Sequence, residues 1–118
     1  MAVSGLTIYH NPRCSKSRAT LALLEERGLQ PTIVEYLNSP PDADDLAHIL
    51  DLLEASPREL MRTQEAPYAE HNLDDDSLTS AALIEAMIVH PILIERPIVV
   101  NGDAARVGRP PEAVLEIL

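Results

Sequence analysis

The sequence predicts an α/β domain that begins with a parallel strand-helix-strand unit, continues with a helical insertion and closes with a hairpin and a last helix. Three observations predict it: strand and helix patterns alternate before residue 37, helical patterns fill about residues 42–90, and apolar runs follow residue 91. The chain has 118 residues, of which 46% are hydrophobic, which is enough for one compact domain. We therefore expect residues 1–118 to form a single domain.

The first unit is predicted from strand and helix signals in direct succession. Leu6–Tyr9 alternates, is rich in β-formers and ends at the Asn11-Pro12 breaker. Ser15–Arg27 favours a helix with Gly28 as its stop, and Thr32–Tyr36 supplies a second strand. A strand-helix-strand order of this length is typical of the right-handed parallel unit of α/β domains.

The insertion is predicted from helix caps and apolar spacing. An acidic first turn at 42–45 leads into an amphipathic helix, and Ser56–Glu59 reads as a capping box. The triplet Asp74–Asp76 is predicted to cap or precede a further helix, which ends before Pro91. Residues of about 42–90 are therefore expected to be a helical insertion.

The hairpin is predicted from apolar runs and a turn signal. Ile92–Ile94 and Ile98–Val100 are apolar runs separated by Arg96-Pro97. Asn101-Gly102 then offers a type I′ turn into Ala104–Val107. A last helix is expected to close the chain.

Composition excludes several classes of function. The formal net charge of −10 opposes binding to nucleic acid or to an anionic membrane surface, and no apolar run approaches the length of a membrane span. No secretion signal is visible, and one cysteine cannot form an internal disulfide, so a cytoplasmic protein is expected. Every basic residue except Lys16 is arginine, which suits bidentate binding of oxyanions.

Cys14 is the principal candidate for chemistry. Free cysteines are often small buried core residues, but the polar flanks of this one do not suit a core segment. Its position between a strand and a helix N-terminus favours a thiolate, and His10, Ser15, Ser17 and Arg18 are predicted to support that charge. With Ser17 in the second position of a Cys-x-x-Ser pattern, an external thiol would have to resolve any mixed disulfide.

The remaining candidates are arginines near strand ends. Arg96 and Arg109 could converge on a bound anion or could be solvated surface residues, and Arg62 reads as a surface residue from its neighbours alone. His10 could affect the thiol through an intervening group or could be structural. No metal-ligand spacing and no nucleotide-binding motif occurs, so neither a metal nor a bound cofactor is expected.

Taken together, these segments resemble the glutaredoxin-dependent arsenate reductase (ArsC) family, and its short YfgD-like branch in particular. The resemblance rests on TIYHNPRCSKSR (7–18), YLNSPP (36–41), LMRTQEAPY (60–68), HPILIERPIVVNG (90–102) and GRPPEAVLEIL (108–118). It implies a thioredoxin-like mixed sheet with an inserted helical region, and a cis peptide bond between Arg96 and Pro97.

The resemblance also implies a function. Cys14 would attack arsenate, glutathione would act as co-substrate, and glutaredoxin would regenerate the thiol. The oxyanion-binding arginines of the family fall on Arg62, Arg96 and Arg109, and its histidine that affects cysteine ionisation falls on His10.

Two alternatives keep the fold and change the function. The arsenate-reducing branch of the family that the chain resembles usually has glycine and threonine after the cysteine, where this chain has Ser15 and Lys16. Glutathione-dependent thiol transfer on another substrate is therefore one alternative. A non-enzymatic regulator like Spx is the other, although Spx-like proteins typically carry a second cysteine at the position of Ser17.

Overall fold

The computed structural model describes residues 5–118, and these form two compact units. One unit contains the chain up to Ser39 together with Arg96–Leu118, and the other is Pro40–Glu95. The predicted insertion of about 42–90 lies inside the second unit. That the whole chain acts as one domain stays a prediction.

The first unit is built on a mixed four-stranded sheet, so the predicted fold class is confirmed. Its strands in chain order are β1 (Leu6–His10), β2 (Thr32–Glu35), β3 (Ile98–Asn101) and β4 (Ala104–Val107). They lie in the order β2-β1-β3-β4, with β1 parallel to β2 and the other pairs antiparallel. The parallel pair and the hairpin are both as predicted.

Helix α1 (Ser15–Glu26) connects β1 to β2 and packs on the core of this unit. The core cluster contains Leu24 of the helix with apolar side chains of the sheet and the C-terminal segment, namely Leu6, Ile8, Val99 and Val114. Gly28 follows the helix with a φ of 77°, a left-handed conformation that glycine adopts readily. The predicted helix stop is therefore confirmed.

The second unit is helical. Its α-helices are α2 (Ala43–Leu53), α3 (Pro57–Leu60), α4 (Ala66–Glu70) and α5 (Ser80–Val89). Asp42 caps α2 by accepting a hydrogen bond from the N–H of Asp45, and Ser56 begins α3 with both bonds of the predicted capping box. Among the apolar side chains buried in α2 and α5 are Leu46, Ile49, Leu50, Leu83 and Met87.

The acidic triplet Asp74–Asp76 precedes α5, which is one of the two expected arrangements, and Thr79 is the cap. Asp75 of the triplet accepts bonds from the N–H and hydroxyl of Ser77. Pro91–Leu93, within the stretch that contains the first apolar run, forms a 3₁₀ helix, since so short a run carries no decisive period. The expected last helix is present at Pro111–Ile117 and is also 3₁₀.

Candidate active site

Cys14 lies at the start of α1, where the chain leaves β1. It is the N-cap residue of the helix, and its side chain is 7% exposed. Its backbone N–H donates to the carbonyl of Asn11 at 3.0 Å, and its carbonyl accepts from the N–H of Arg18 at 3.0 Å. The sulfur therefore lies beside the first turn of a 12-residue helix, at the end of the helix dipole that stabilises negative charge.

The surroundings of Cys14 favour the thiolate. Burial raises the pKa of the thiol, but this effect is outweighed by the backbone N–H of Ser17, the charge of Arg96 and the N–H of Lys16. A side-chain hydrogen bond from Arg96 acts in the same direction, and the net pKa lies below the ordinary value. A thiol in this environment is a better nucleophile at neutral pH than an inert buried cysteine.

Titration of Cys14 should show this lowered pKa directly. We expect thiolate absorbance, and the rate of alkylation by iodoacetamide, to rise with pH at a lower midpoint in the folded chain than in the same chain in guanidinium. Because the chain has one cysteine, the signal reports this thiol alone. Coincident midpoints in the folded and unfolded chains would contradict the account of the thiol given above.

Arg109 faces the sulfur from the loop after β4. Its Nη2 donates to Cys14 Sγ at 3.7 Å, and its Nε donates to the carbonyl of Arg96 at 2.8 Å. Both arginines precede a cis-proline, so the expectation of a cis bond between Arg96 and Pro97 is confirmed, and the bond between Arg109 and Pro110 is cis as well. The structure thus brings Cys14, Arg96 and Arg109 together.

Gly108 holds the Arg109 loop close to α1, which the sequence did not indicate. Its N–H donates to the carbonyl of Pro97 at 2.9 Å. A Cβ atom added at Gly108 would lie 2.5 Å from Thr20 Oγ1 and 2.8 Å from Pro97 Cγ. Thr20 is fully buried and its hydroxyl donates to the carbonyl of Lys16. Glycine is therefore the residue that this close approach permits.

Gly108→Ala should destabilise the fold and disturb the site. Because the added methyl cannot fit without moving Thr20 and Pro97, we expect the free energy of unfolding to fall by about 1–3 kcal/mol. Denaturant unfolding measures this loss, with Gly5→Ala as the matched control, since the nearest atom to a Cβ there is at 3.4 Å. Adding Thr20→Ala should restore part of the stability, whereas an unchanged unfolding midpoint in Gly108→Ala would refute the packing argument.

His10 contacts the helix start through Ser17. Both side chains are buried, and His10 Nδ1 lies 2.6 Å from Ser17 Oγ, which also accepts from the N–H of Asn11. Burial lowers the pKa of His10, while Glu35 raises it less and Arg18 lowers it further. The lowered pKa favours the neutral ring, and Ser17 is the group that intervenes between it and the thiol.

The other residues predicted to support the thiolate, Ser15 and Arg18, differ in their contacts. Ser15 is exposed at the first position of α1. The Nη1 of Arg18 donates to the carbonyl of Pro12 at 2.9 Å, so this side chain ties the loop together. Sequence reasoning missed Asn11, whose Oδ1 accepts from the N–H of Arg13 at 3.0 Å, and whose N–H and carbonyl also bond within the loop.

Arg62 belongs to the helical unit. Its N–H donates to the carbonyl of Leu93 at 2.7 Å, and its guanidinium pairs with Glu65 at 2.8 Å and with Glu95 at 3.7 Å. The preceding residue, Met61, forms an isolated antiparallel β-bridge with Ile94. These contacts and the two carboxylates hold Arg62 within the helical unit. Its predicted role in oxyanion binding stays a prediction.

Residues 5–118 contain no cluster of metal-binding side chains and no helix suited to span a membrane. In this part of the chain, no group of three or more histidine, cysteine or acidic side chains is placed to hold a metal ion. Nor does any helix within the same range have the length and apolar character needed to cross a bilayer.

The chain is similar to one family of known proteins over nearly its whole length. A model of the ArsC family matches residues 9–117. Protein YfgD of Escherichia coli is 58% identical over 94% of this chain and 94% of its own length. An arsenate reductase of Haemophilus influenzae is 53% identical over 94% of this chain and 97% of its own. Both likenesses extend over nearly the whole sequence.

A solved structure agrees with the fold. The arsenate reductase from Vibrio cholerae is 52% identical, covers 96% of this chain and 97% of its own, and superposes with a TM-score of 0.93. The thioredoxin-like fold class and the resemblance predicted from the sequence are therefore confirmed.

Proposed function

Because the chain belongs to the ArsC family, we propose that it is an oxidoreductase that reduces arsenate to arsenite through the thiolate of Cys14. The observation that carries this proposal is the Arg109 guanidinium 3.7 Å from the Cys14 sulfur, whose pKa is lowered. A nucleophile and an oxyanion-binding cation are thereby within reach of one bound ion. Relatives that bear the name arsenate reductase support the choice of oxyanion.

In this proposal each residue around the sulfur has a separate role. Cys14 attacks arsenic, while Arg96 and Arg109 hold the negatively charged oxygens. The backbone N–H groups of Lys16 and Ser17 stabilise the thiolate before attack. His10 acts through Ser17 to hold the loop in shape. Arg62 supplies a third cation for the oxyanion.

The chemistry begins with the Cys14 thiolate replacing one oxygen of arsenate. The S–As bond forms, an As–O bond breaks, and the leaving hydroxide takes up one proton from solvent and departs as water. Reduction then takes two electrons from two thiols, which end as one disulfide, and the arsenic leaves as arsenite. The described chain has one cysteine, so the second thiol must come from outside. Glutathione is the proposed co-substrate and glutaredoxin the proposed regenerating partner, in a reducing cytoplasm.

A coupled assay tests the function. The chain is mixed with arsenate, glutathione, glutaredoxin, glutathione reductase and NADPH, and oxidation of NADPH is followed. We expect oxidation that depends on arsenate and stops when either glutathione or glutaredoxin is omitted. No turnover by a chain whose thiol is intact would refute the proposal. Turnover on a glutathione mixed disulfide without turnover of arsenate would select thiol transfer instead.

Arg62→Ala tests the third arginine. We expect the KM for arsenate to rise about 1.4- to fivefold, because one partly exposed cation contributes about 0.2–1 kcal/mol to binding a charged group. Steady-state kinetics measure the change. The matched control is Arg58→Ala, which removes a nearby arginine of the same unit whose guanidinium donates to the carbonyls of Leu73 and Asp75. An equal change in both variants would assign Arg62 a structural role.

A further inference from the structure

A cavity of about 320 Å³ opens where β1 and β2 end. Its lining includes His10, Asn11, Arg13, Glu35, Leu37 and Asn38, and we refer to it as the strand-end cavity. The volume is within the range of about 300–1,000 Å³ found for small-molecule sites. The roles assigned above to the thiol and arginines leave this cavity unused.

The strand-end cavity is formed by the topology of the parallel pair. His10 lies opposite Glu35 in the β1–β2 register, so both strands end at the same level. After Glu35 the chain turns, with the N–H groups of Asn38 and Ser39 donating to its carbonyl at 3.0 Å. Ligands of α/β proteins commonly bind in such crevices at the carboxyl ends of strands. The cavity therefore lies at a position where sheets of this kind commonly bind ligands.

The lining of the strand-end cavity carries both signs of charge. Arg13 and Glu35 are exposed, and each contributes one full charge to its wall. The carboxylate of Glu35 is near enough to His10 to raise its pKa. Leu37, which is 40% exposed, adds apolar surface. This combination suits a small ligand that bears a carboxylate, an ammonium group and an uncharged body.

The same loop forms the cavity wall and supports the nucleophile. Arg13 directly precedes Cys14, with Cα atoms about 3.8 Å apart across the peptide bond. The N–H of Cys14 donates to the carbonyl of Asn11, another lining residue. A thiol ligand held by Arg13 would therefore lie one residue from Cys14, which does not line the cavity, and its sulfur would extend along the loop to reach the thiolate. The chain itself supplies no second thiol within its described residues.

We propose that the strand-end cavity binds the thiol co-substrate, a small peptide of the glutathione class, with a carboxylate on Arg13 and the ammonium group on Glu35. This inference rests on the proposed function, because the reduction of arsenate needs a second thiol and the cavity would bind the molecule that carries it. Its simplest step is thiol–disulfide exchange. The thiolate of the ligand attacks the Cys14 sulfur of a mixed disulfide with another thiol, the old S–S bond breaks as the ligand–Cys14 disulfide forms, and the leaving thiolate takes up a proton. Glutaredoxin would then reduce the ligand–Cys14 disulfide, as in the proposed cycle.

This step can be measured without arsenate. Cys14 is first converted to its mixed disulfide with thiopyridine, and release of thiopyridone is followed after adding a thiol. Four thiols are compared: glutathione, mercaptopropionate with a carboxylate only, cysteamine with an ammonium group only, and uncharged mercaptoethanol. Each rate is corrected for the thiolate fraction at the working pH.

The proposal predicts a crossed pattern of effects. In Arg13→Ala, the rate of thiopyridone release by glutathione and by mercaptopropionate should fall about two- to fivefold, which is the effect of losing one exposed ion pair. The rate with cysteamine should not change. Glu35→Gln should slow glutathione and cysteamine similarly and leave mercaptopropionate unchanged. These effects are expressed relative to mercaptoethanol, whose only charge is the attacking thiolate that all four thiols share. Arg27→Ala and Glu26→Gln are the matched controls. Both residues are exposed, and these substitutions remove the same charges at another place on this unit.

Two outcomes would overturn the proposal. In the first, all four thiols slow together in a variant, which would indicate a disturbed loop. In the second, the control variants reproduce the crossed pattern, which would indicate long-range electrostatics rather than a site. Because no arsenate is present, the exchange assay can succeed when arsenate turnover fails, and it can fail when turnover succeeds.

Discussion

Cys14→Ser should abolish arsenate-dependent turnover, with a fall on the order of 10⁴-fold or more. The serine hydroxyl is nearly the same size as the thiol but stays protonated at neutral pH, so it supplies no comparable nucleophile. The N–H groups and arginines that face the sulfur would remain in place. The coupled NADPH assay measures the loss.

Binding separates loss of chemistry from loss of fold. Cys14→Ser should still bind arsenate, as calorimetry can measure, because the cations that hold the oxyanion are unchanged. Arg27→Ala, which removes an exposed arginine just beyond the end of α1, should retain full turnover. Turnover in Cys14→Ser comparable to that of the unmodified chain would place the nucleophile elsewhere.

Arg109→Ala should lower kcat/KM for arsenate by about 10²–10³-fold, the usual cost of removing one donor from an oxyanion site. Its guanidinium approaches the Cys14 sulfur and is held by its Nε bond to the Arg96 carbonyl, so it is positioned before the oxyanion arrives. Arg109→Lys should recover only part of the loss, because lysine keeps the charge but cannot form the bidentate fork.

The pH profile distinguishes the role of Arg109 in binding from an effect on the thiol. Because Arg109 Nη2 donates to Cys14 Sγ, an effect on the thiol would appear as an upward shift of the alkylation midpoint in Arg109→Ala, whereas a role in oxyanion binding alone would lower turnover by more than that shift accounts for. Arg96→Ala should shift that midpoint upwards in addition to losing turnover. A similar loss of turnover in Arg27→Ala would remove the specific role of Arg109.

The sequence was most informative where the cause of a structure lies within a few residues. The capping box at Ser56 and the stop at Gly28 depend on short-range backbone geometry, and both were predicted. The position of Cys14 followed likewise from a strand signal, a breaker and a helix signal in succession. The chemistry at a helix start can thus be anticipated from local patterns.

What could not be predicted depends on contacts that are distant in sequence. Gly108 must be glycine because Thr20 and Pro97 press against it, and no local pattern marks that approach. Arg109 meets Cys14 across 95 positions of sequence, so only the family resemblance suggested the pairing. The 3₁₀ helix at Pro91–Leu93 was missed because three apolar residues fit either periodicity.

The donors that favour the thiolate at Lys16 and Ser17 are backbone N–H groups, which has a consequence for how this loop can change. Every residue except proline carries such a group, so the side chains of Ser15 and Lys16 can be exchanged without removing it. Both side chains are exposed. The loop can therefore acquire new surface contacts with a redox partner while the ionisation of its cysteine is preserved, so partner choice and thiol reactivity can evolve separately.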